Sequence, residues 1–323
     1  MRKVALGTMG LEVSRLGFGA MPLAIRGRPS LEQGLQVLRR ALDAGINWID
    51  TADSYCLDDS DVGFGERLVA RALAEAKAED VLVTTKAGYV RPQGEWLIDG
   101  RPERIKAACE ASLRALGVSS LFLYQLHAVD PEVPLADSVG AMAQLQREGK
   151  VRFVGLCNVD LGHIQEAQRE VEISSVQNRC NLFDRTSFTN GVVDYCASRR
   201  IAFIAHSPLG GHQGHVRAGE NPVLRSIAER RGATAHEVCL LWLLQQPGQI
   251  FPIPGSSRLS SLESNLRVAD QRLSDAELSE LADAFPSAPL TKQTLVRARN
   301  QLRRVGSALK RVARVALPLA GGA

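Results

Sequence analysis

Short runs of apolar and β-branched residues recur along this chain, and between them the apolar positions fall at spacings of three and four. The first kind of run suits a buried strand, the second one face of a helix. After a hairpin expected at 3–6 and 12–14 around the turn Gly7-Thr8-Met9-Gly10, strands are predicted at 15–20, 46–51, 81–86, 121–127, 151–157, 173–178, 201–206 and 250–254. Helices are predicted at 31–44, 63–76, 102–116, 135–148, 161–170, 190–199, 222–231 and 259–267, with extra ones at 234–246 and 274–284. Punctuation agrees with these limits. Pro102 can open a helix, Gly45 and Gly117 can close two others, and Ser274 with Glu277 forms a capping box. Eight strands, each followed by a helix in unbroken order, give the expectation of an α/β fold, a (β/α)8 TIM barrel, over residues 1–286.

Charge adds one division. The whole chain carries 39 Lys and Arg against 35 Asp and Glu. Residues 291–323 hold eight of the basic groups and no acidic one, so the rest is left with 31 basic against 35 acidic groups. Leu295, Ala298, Leu302, Val305, Leu309, Val312 and Ala316 form an apolar stripe in the same stretch. Residues 287–323 therefore read as a basic amphipathic C-terminal extension, helical or partly disordered. The stretch 291–323 could lie on an anionic membrane surface, dock on a protein partner, fold over its own barrel or stand as a solvated extension, and it lacks the interleaved aromatics suited to nucleic acid.

The rest of the composition is that of an ordinary globular protein, 45% apolar and 23% charged. No run approaches the ~20 apolar residues of a membrane span. The start of the chain lacks an apolar signal core, and the six cysteines are scattered without a CxxC pair. A reducing cytoplasmic setting with no metal site is the expectation. His212 and His215 have a ligand-like spacing but no evident third ligand.

Four polar residues stand where predicted parallel strands end: Asp50 and, shortly after it, Tyr55 in NWIDTADSY, Lys86 in VLVTTKAG and His127 in LFLYQLHAVD. Strand ends of one barrel converge on one mouth. Reducing a carbonyl requires a proton at oxygen while a hydride reaches carbon. A phenol, with a pKa of ~10, needs help to give up its proton at neutral pH. Tyr55 suits the acid, Lys86 its electrostatic activator, Asp50 the anchor of the lysine, and His127 the group that orients the carbonyl oxygen.

The blocks LGFGAM, IDTADSY, TTKAG, LYQLHA, GKVRFVGLCN, VQNRCNLFDR, HSPLG and PIPGSS…LESNL stand in an order and spacing that resemble the aldo-keto reductase family, from about residue 3 to about residue 286. The resemblance implies a catalytic tetrad of Asp50, Tyr55, Lys86 and His127, a small carbonyl substrate, and NADPH lying across the mouth. It assigns Asn158 and Gln177 to the nicotinamide amide, with Cys157 standing where the family usually has Ser. His206 takes the place of the usual stacking aromatic, and Ser207, Pro208, Leu209 and Gly210 match the pyrophosphate loop. Gly255, Ser256, Ser257 and Arg258 match the 2′-phosphate segment, Asn265 an adenine contact, and Gly19 a close approach of the first strand to the cofactor. Potassium-channel β-subunits also resemble this family, so a cofactor-binding regulatory or scaffolding subunit is the alternative. A Rossmann reading fails, because Gly17-Phe18-Gly19 is followed by Pro22 where a third glycine would stand. Substrate-contacting loops are expected at 21–29, 56–62, 88–98 and 211–221, with Tyr89 and Trp96 in the third.

Overall fold

The computed structural model describes residues 1–286; the expected basic extension at 287–323 lies outside the described residues. Strands β1 (Lys3–Ala5) and β2 (Glu12–Ser14) pair antiparallel. Then come β3 (Phe18–Gly19), α1 (Leu31–Asp43), β4 (Trp48–Asp50), α2 (Phe64–Ala76) and β5 (Leu82–Ala87). A small antiparallel pair, β6 (Tyr89–Val90) and β7 (Leu97–Ile98), precedes α3 (Pro102–Leu116), β8 (Leu121–Leu126), α4 (Leu135–Arg147), β9 (Val151–Cys157), α5 (Leu161–Ala167) and β10 (Ile173–Arg179). The chain continues through α6 (Thr186–Thr189), α7 (Val192–Arg199), β11 (Ala202–His206), α8 (Gly211–Glu220), α9 (Pro222–Arg231), α10 (Ala235–Leu244), β12 (Ile250–Pro252), α11 (Leu259–Arg267) and α12 (Asp275–Ala284).

Eight strands form one parallel sheet in the order β12-β11-β10-β9-β8-β5-β4-β3. Its two edges meet. Gly17 N–H donates to Pro252 O (3.0 Å), and Gly19 bridges Gly255 in parallel register. The sheet is thereby closed into a (β/α)8 barrel, as the pattern predicts. Most element limits fall within one or two residues of expectation, and Pro102, Gly117 and the Ser274–Glu277 box act as the sequence suggests.

Three details differ. Only Phe18–Gly19 of the first run is strand; Gly17 just before it lies against the Trp48 indole, where a Cβ would sit 2.4 Å from the ring. The expected loop at 211–221 is largely helix α8, whose glycines and few apolar residues hide its period. The expected loop at 88–98 contains the β6–β7 pair.

Alternation along each strand separates two cores. Outward residues such as Ile49, Tyr124, Val154 and Phe203 pack under the helices. Inward residues at the amino-terminal ends, Trp48, Leu123, Ile204 and Phe251, join Leu6, Met9 and Val13 from the β1–β2 hairpin in a floor. Burying a side chain of this class contributes about 1.5–3 kcal/mol, so the floor is a sealed apolar plug. The next inward positions toward the mouth are polar: Asp50, Thr84, Gln125, Ser175 and Gln177. Gly155 belongs to this layer and leaves room for its neighbours. A Cβ there would meet Ser175 Oγ at 2.1 Å and Gln125 Cγ at 2.9 Å.

Candidate active site

Strand periodicity delivers the site. Asp50 is two residues beyond the floor tryptophan on β4, Lys86 two beyond Thr84 on β5, and His127 immediately follows β8. Tyr55 comes from the β4–α2 connection, where its carbonyl accepts from Gly65 N–H (3.0 Å) at the start of α2. All four side chains are buried.

Lys86 Nζ donates to Asp50 Oδ2 (2.5 Å), Thr51 O (2.7 Å) and Tyr55 Oη (3.2 Å). An ammonium has three protons, and all three are committed here. Because Lys86 donates to the phenol oxygen, the phenol proton is left to point elsewhere. Asp50 is held in turn, its Oδ1 accepting from Thr84 Oγ1 (2.7 Å), Gln177 Nε2 (2.8 Å) and, at longer range, Gln125 Nε2 (3.4 Å). Breaking a buried pair of this kind strands a charge away from water, at a cost of about 3–5 kcal/mol.

The electrostatics follow from burial and neighbours. Burial opposes the Lys86 charge, but Asp50 and Tyr55 outweigh it and raise the ammonium above its usual range. Burial pushes the Tyr55 phenol up to about 12; Lys86 pulls it down and Asp50 pushes it up. Lysine activation of the phenol is therefore present but is outweighed by desolvation, and the resting phenol keeps its proton. His127 is held well below the ordinary imidazole range by burial, then by the charges of Lys86 and His206, so its ring is neutral. Its Nδ1 lies 3.5 Å from Ser54 Oγ. With that hydroxyl donating, Nε2 carries the ring proton and serves as a donor. Cys157, where the family usually has Ser, is a buried thiol pushed well up by its surroundings.

The expected nicotinamide contacts also converge. Asn158, in the left-handed region at φ 58°, donates from Nδ2 to His127 O (2.9 Å), and its Oδ1 is 3.0 Å from His206 Nε2. The other His206 nitrogen lies 3.1 Å from Ser207 Oγ. Burial, with Lys86 and Arg179 adding to it, pushes the His206 ring down to about 3. Gln177 braces Asp50 from its side-chain nitrogen. Ser207 is left-handed too, at φ 49°, Pro208 is buried beside it, and Leu209 is partly buried. Gly210 O accepts from Arg179 Nη2 (2.7 Å). Asn265 Nδ2 donates to Ser256 Oγ (3.0 Å), and Ser257 O accepts from Gln33 Nε2 (3.0 Å). Arg258 is exposed immediately before α11 and makes no ion pair among the described residues. Gly19 lies so near the last strand that a Cβ would stand 2.7 Å from Ile253 O.

Around the phenol stands an aromatic wall. The Tyr55 ring is 5.7 Å from His127 and 6.5 Å from Trp96, and Tyr89 is 4.8 Å from His127. The Arg91 guanidinium, 3.9 Å over the Trp96 ring, supports that side chain. Trp96 is thus both anchored and set edge-on toward the Tyr55 ring. Sequence reading did not single out Thr84, Gln125 and Ser54 as supports. The first two lie two residues before Lys86 and His127 on the same inward face, a signal the strand period offers.

The sequence profile of the Aldo/keto reductase family matches residues 15–285. This chain is a member of that family. A probable aldo-keto reductase of Glycine max is 31% identical over 315 residues, covering 88% of this chain and 89% of its own. An uncharacterized oxidoreductase of Schizosaccharomyces pombe is 34% identical, with coverages of 87% and 90%. Among solved structures, a thermostable aldo-keto reductase in complex with the inhibitor epalrestat is 28% identical with a TM-score of 0.74, over 88% of this chain and 99% of that one. An aldo-keto reductase from Klebsiella pneumoniae in complex with NADP and acetate is 25% identical, also at 0.74, over 89% and 97%.

Proposed function

We propose that this aldo-keto reductase reduces an aldehyde or ketone to an alcohol with NADPH, Tyr55 being the proton donor. The observation that carries the reading is the Lys86 ammonium, which donates at once to Asp50 and to the Tyr55 oxygen. The residues fit the cofactor. Arg258 makes no ion pair among the described residues and stands beside the first N–H groups of α11, a setting that favours a phosphate. Asn158, His206 and Ser207 form one bonded group next to the tetrad, suited to hold a nicotinamide. The cofactor, when bound, supplies the hydride.

The chain's own residues do the rest. His127, neutral and braced by Ser54 and Asn158, donates to the carbonyl oxygen and fixes the substrate's angle. Tyr55 gives its proton to that oxygen as negative charge develops there, and the Lys86 bond stabilises the phenolate left behind. Asp50 keeps the ammonium in position throughout. Tyr89 and Trp96 offer apolar faces to the substituent of the carbonyl.

NADPH oxidation with a panel of aliphatic and aromatic aldehydes and ketones tests this reading. Turnover of one or more carbonyls by the native protein, lost in Tyr55→Phe while NADPH still quenches protein fluorescence, is the expected result. Unchanged turnover in Tyr55→Phe overturns the assignment of the acid.

A further inference from the structure

Beneath the floor of the barrel, at the amino-terminal ends of the strands, lies a cavity away from the tetrad. It has a volume of about 280 Å³ and lies between the end of the β1–β2 hairpin, the end of α10 and the segment joining α11 to α12. Arg2, Arg15 and Arg272 line it with Gln245, Gln246 and Asp270. None of the three arginines makes an ion pair among the described residues, and Asp270 is the one carboxylate on the wall. The like charges feel one another. Arg15 is pulled below the usual guanidinium range by burial, then by Arg2 and Arg272.

The walls are firmly built. The Arg15 guanidinium donates to Leu244 O, and Arg15 N–H donates to Arg2 O (3.2 Å). Gln245 exchanges two hydrogen bonds with the Leu273 backbone, donating at 3.1 Å and accepting at 2.6 Å. Arg231 Nη2 donates to Arg272 O (2.9 Å). Nothing in carbonyl reduction draws on these residues. Three converging cations against one carboxylate leave a net positive wall whose repulsion an anion relieves, and planar guanidinium forks match phosphate and carboxylate oxygens. The volume is near the lower end of small-molecule sites.

We propose that this cavity binds a compact oxyanion bearing several charges, with Arg2, Arg15 and Arg272 as its partners. The test is isothermal titration of tripolyphosphate, and separately of citrate, into the full chain at low salt with NADPH present. The native protein should show one saturating site for at least one of the two anions, and which one it takes separates phosphate from carboxylate chemistry. The double variant Arg2→Gln, Arg272→Gln, altered only at exposed side chains, should keep its melting temperature and its carbonyl reduction while binding weakens about tenfold or more, as loss of charge-assisted hydrogen bonds requires. Absence of saturable binding in the native protein overturns the proposal. Equal affinity in the two proteins also overturns it, since the anion would then reside elsewhere, for instance on the basic stretch 291–323.

Discussion

At the scale of single residues, the proton inventory around Tyr55 governs what substitutions should do. Tyr55→Phe keeps the ring contacts with His127 and Trp96 and removes the acid, so reduction should fall ~10²–10⁴-fold in initial-rate assays, with cofactor affinity nearly unchanged. Removing one member of the ion pair has a second cost. Asp50→Ala leaves the Lys86 ammonium buried without its counter-charge and should lower unfolding free energy by about 3–5 kcal/mol in denaturant titrations. Arg258→Ala should narrow the preference for NADPH over NADH by about 1.5–3 kcal/mol, read from the two dissociation constants. The pH dependence follows from the direction of the shifts. The phenol, pushed up to about 12, stays protonated through the neutral range, and the depressed His127 stays uncharged there. Neither group should place a limb in the reduction rate between about pH 6 and about pH 9, and a titration of kcat across that range checks it.

Among the elements, the packing of α2 and α3 against β5 contains a buried carboxyl with its own pH signature. Glu66 accepts from Thr85 Oγ1 (2.6 Å), next in sequence to Lys86. Burial raises it from an ordinary 4.5 to about 7, against the hydrogen bond from Thr85, with Asp53 adding to the rise. The folded protein therefore holds this proton more tightly than the unfolded chain. The stability it contributes is full below about pH 4.5 and is lost as pH rises through about 7. Relative to Glu66→Gln, which keeps a neutral side chain at every pH, native stability should decline by ~3 kcal/mol between about pH 5 and about pH 8. At the barrel seam, Gly17→Ala drives a methyl into the fixed Trp48 indole and should cost about 1–3 kcal/mol in the same measurement.

The limits of α3 and α9 were readable to the residue because a proline at the start and a left-handed glycine at the end bracket an apolar period, whereas those of α11 rest on its apolar period alone. Helix α8 was not, since Gly211, Gly214 and Gly219 dilute its period, and its support comes from tertiary contacts such as buried Ala218 and Arg217 over the Phe183 ring. Asp50, Lys86 and His127 stand out in the sequence because each closes a strand-like run, and Tyr55 because it follows Asp50 closely in the same block. Their supports are harder to see. Thr84, Gln125 and Ser54 are ordinary polar residues until the register places Thr84 against Asp50 on neighbouring strands. The pull of burial on the phenol is likewise a property of the assembled mouth, which no local motif encodes.

For the whole molecule, Met1–Phe285 forms one compact unit containing every barrel strand. Removing residues 287–323 is thus expected to leave a cooperative unfolding transition and the reductase rate intact, measured by circular dichroism and NADPH oxidation. If the basic stretch serves attachment, only the full chain should sediment with anionic vesicles at low salt. The plugged floor has its own consequence. Leu6, Val13, Trp48 and Phe251 are wholly shielded from solvent and bar the route from below. On the proposed mechanism, the Tyr55 phenolate left by turnover then regains its proton through the opening by which the alcohol departs. Reset and exit share one doorway. In heavy water, the slowing of the catalytic cycle should accordingly follow how readily the product clears that doorway, and bulky alcohols that linger there should delay the enzyme's recovery as well as their own escape.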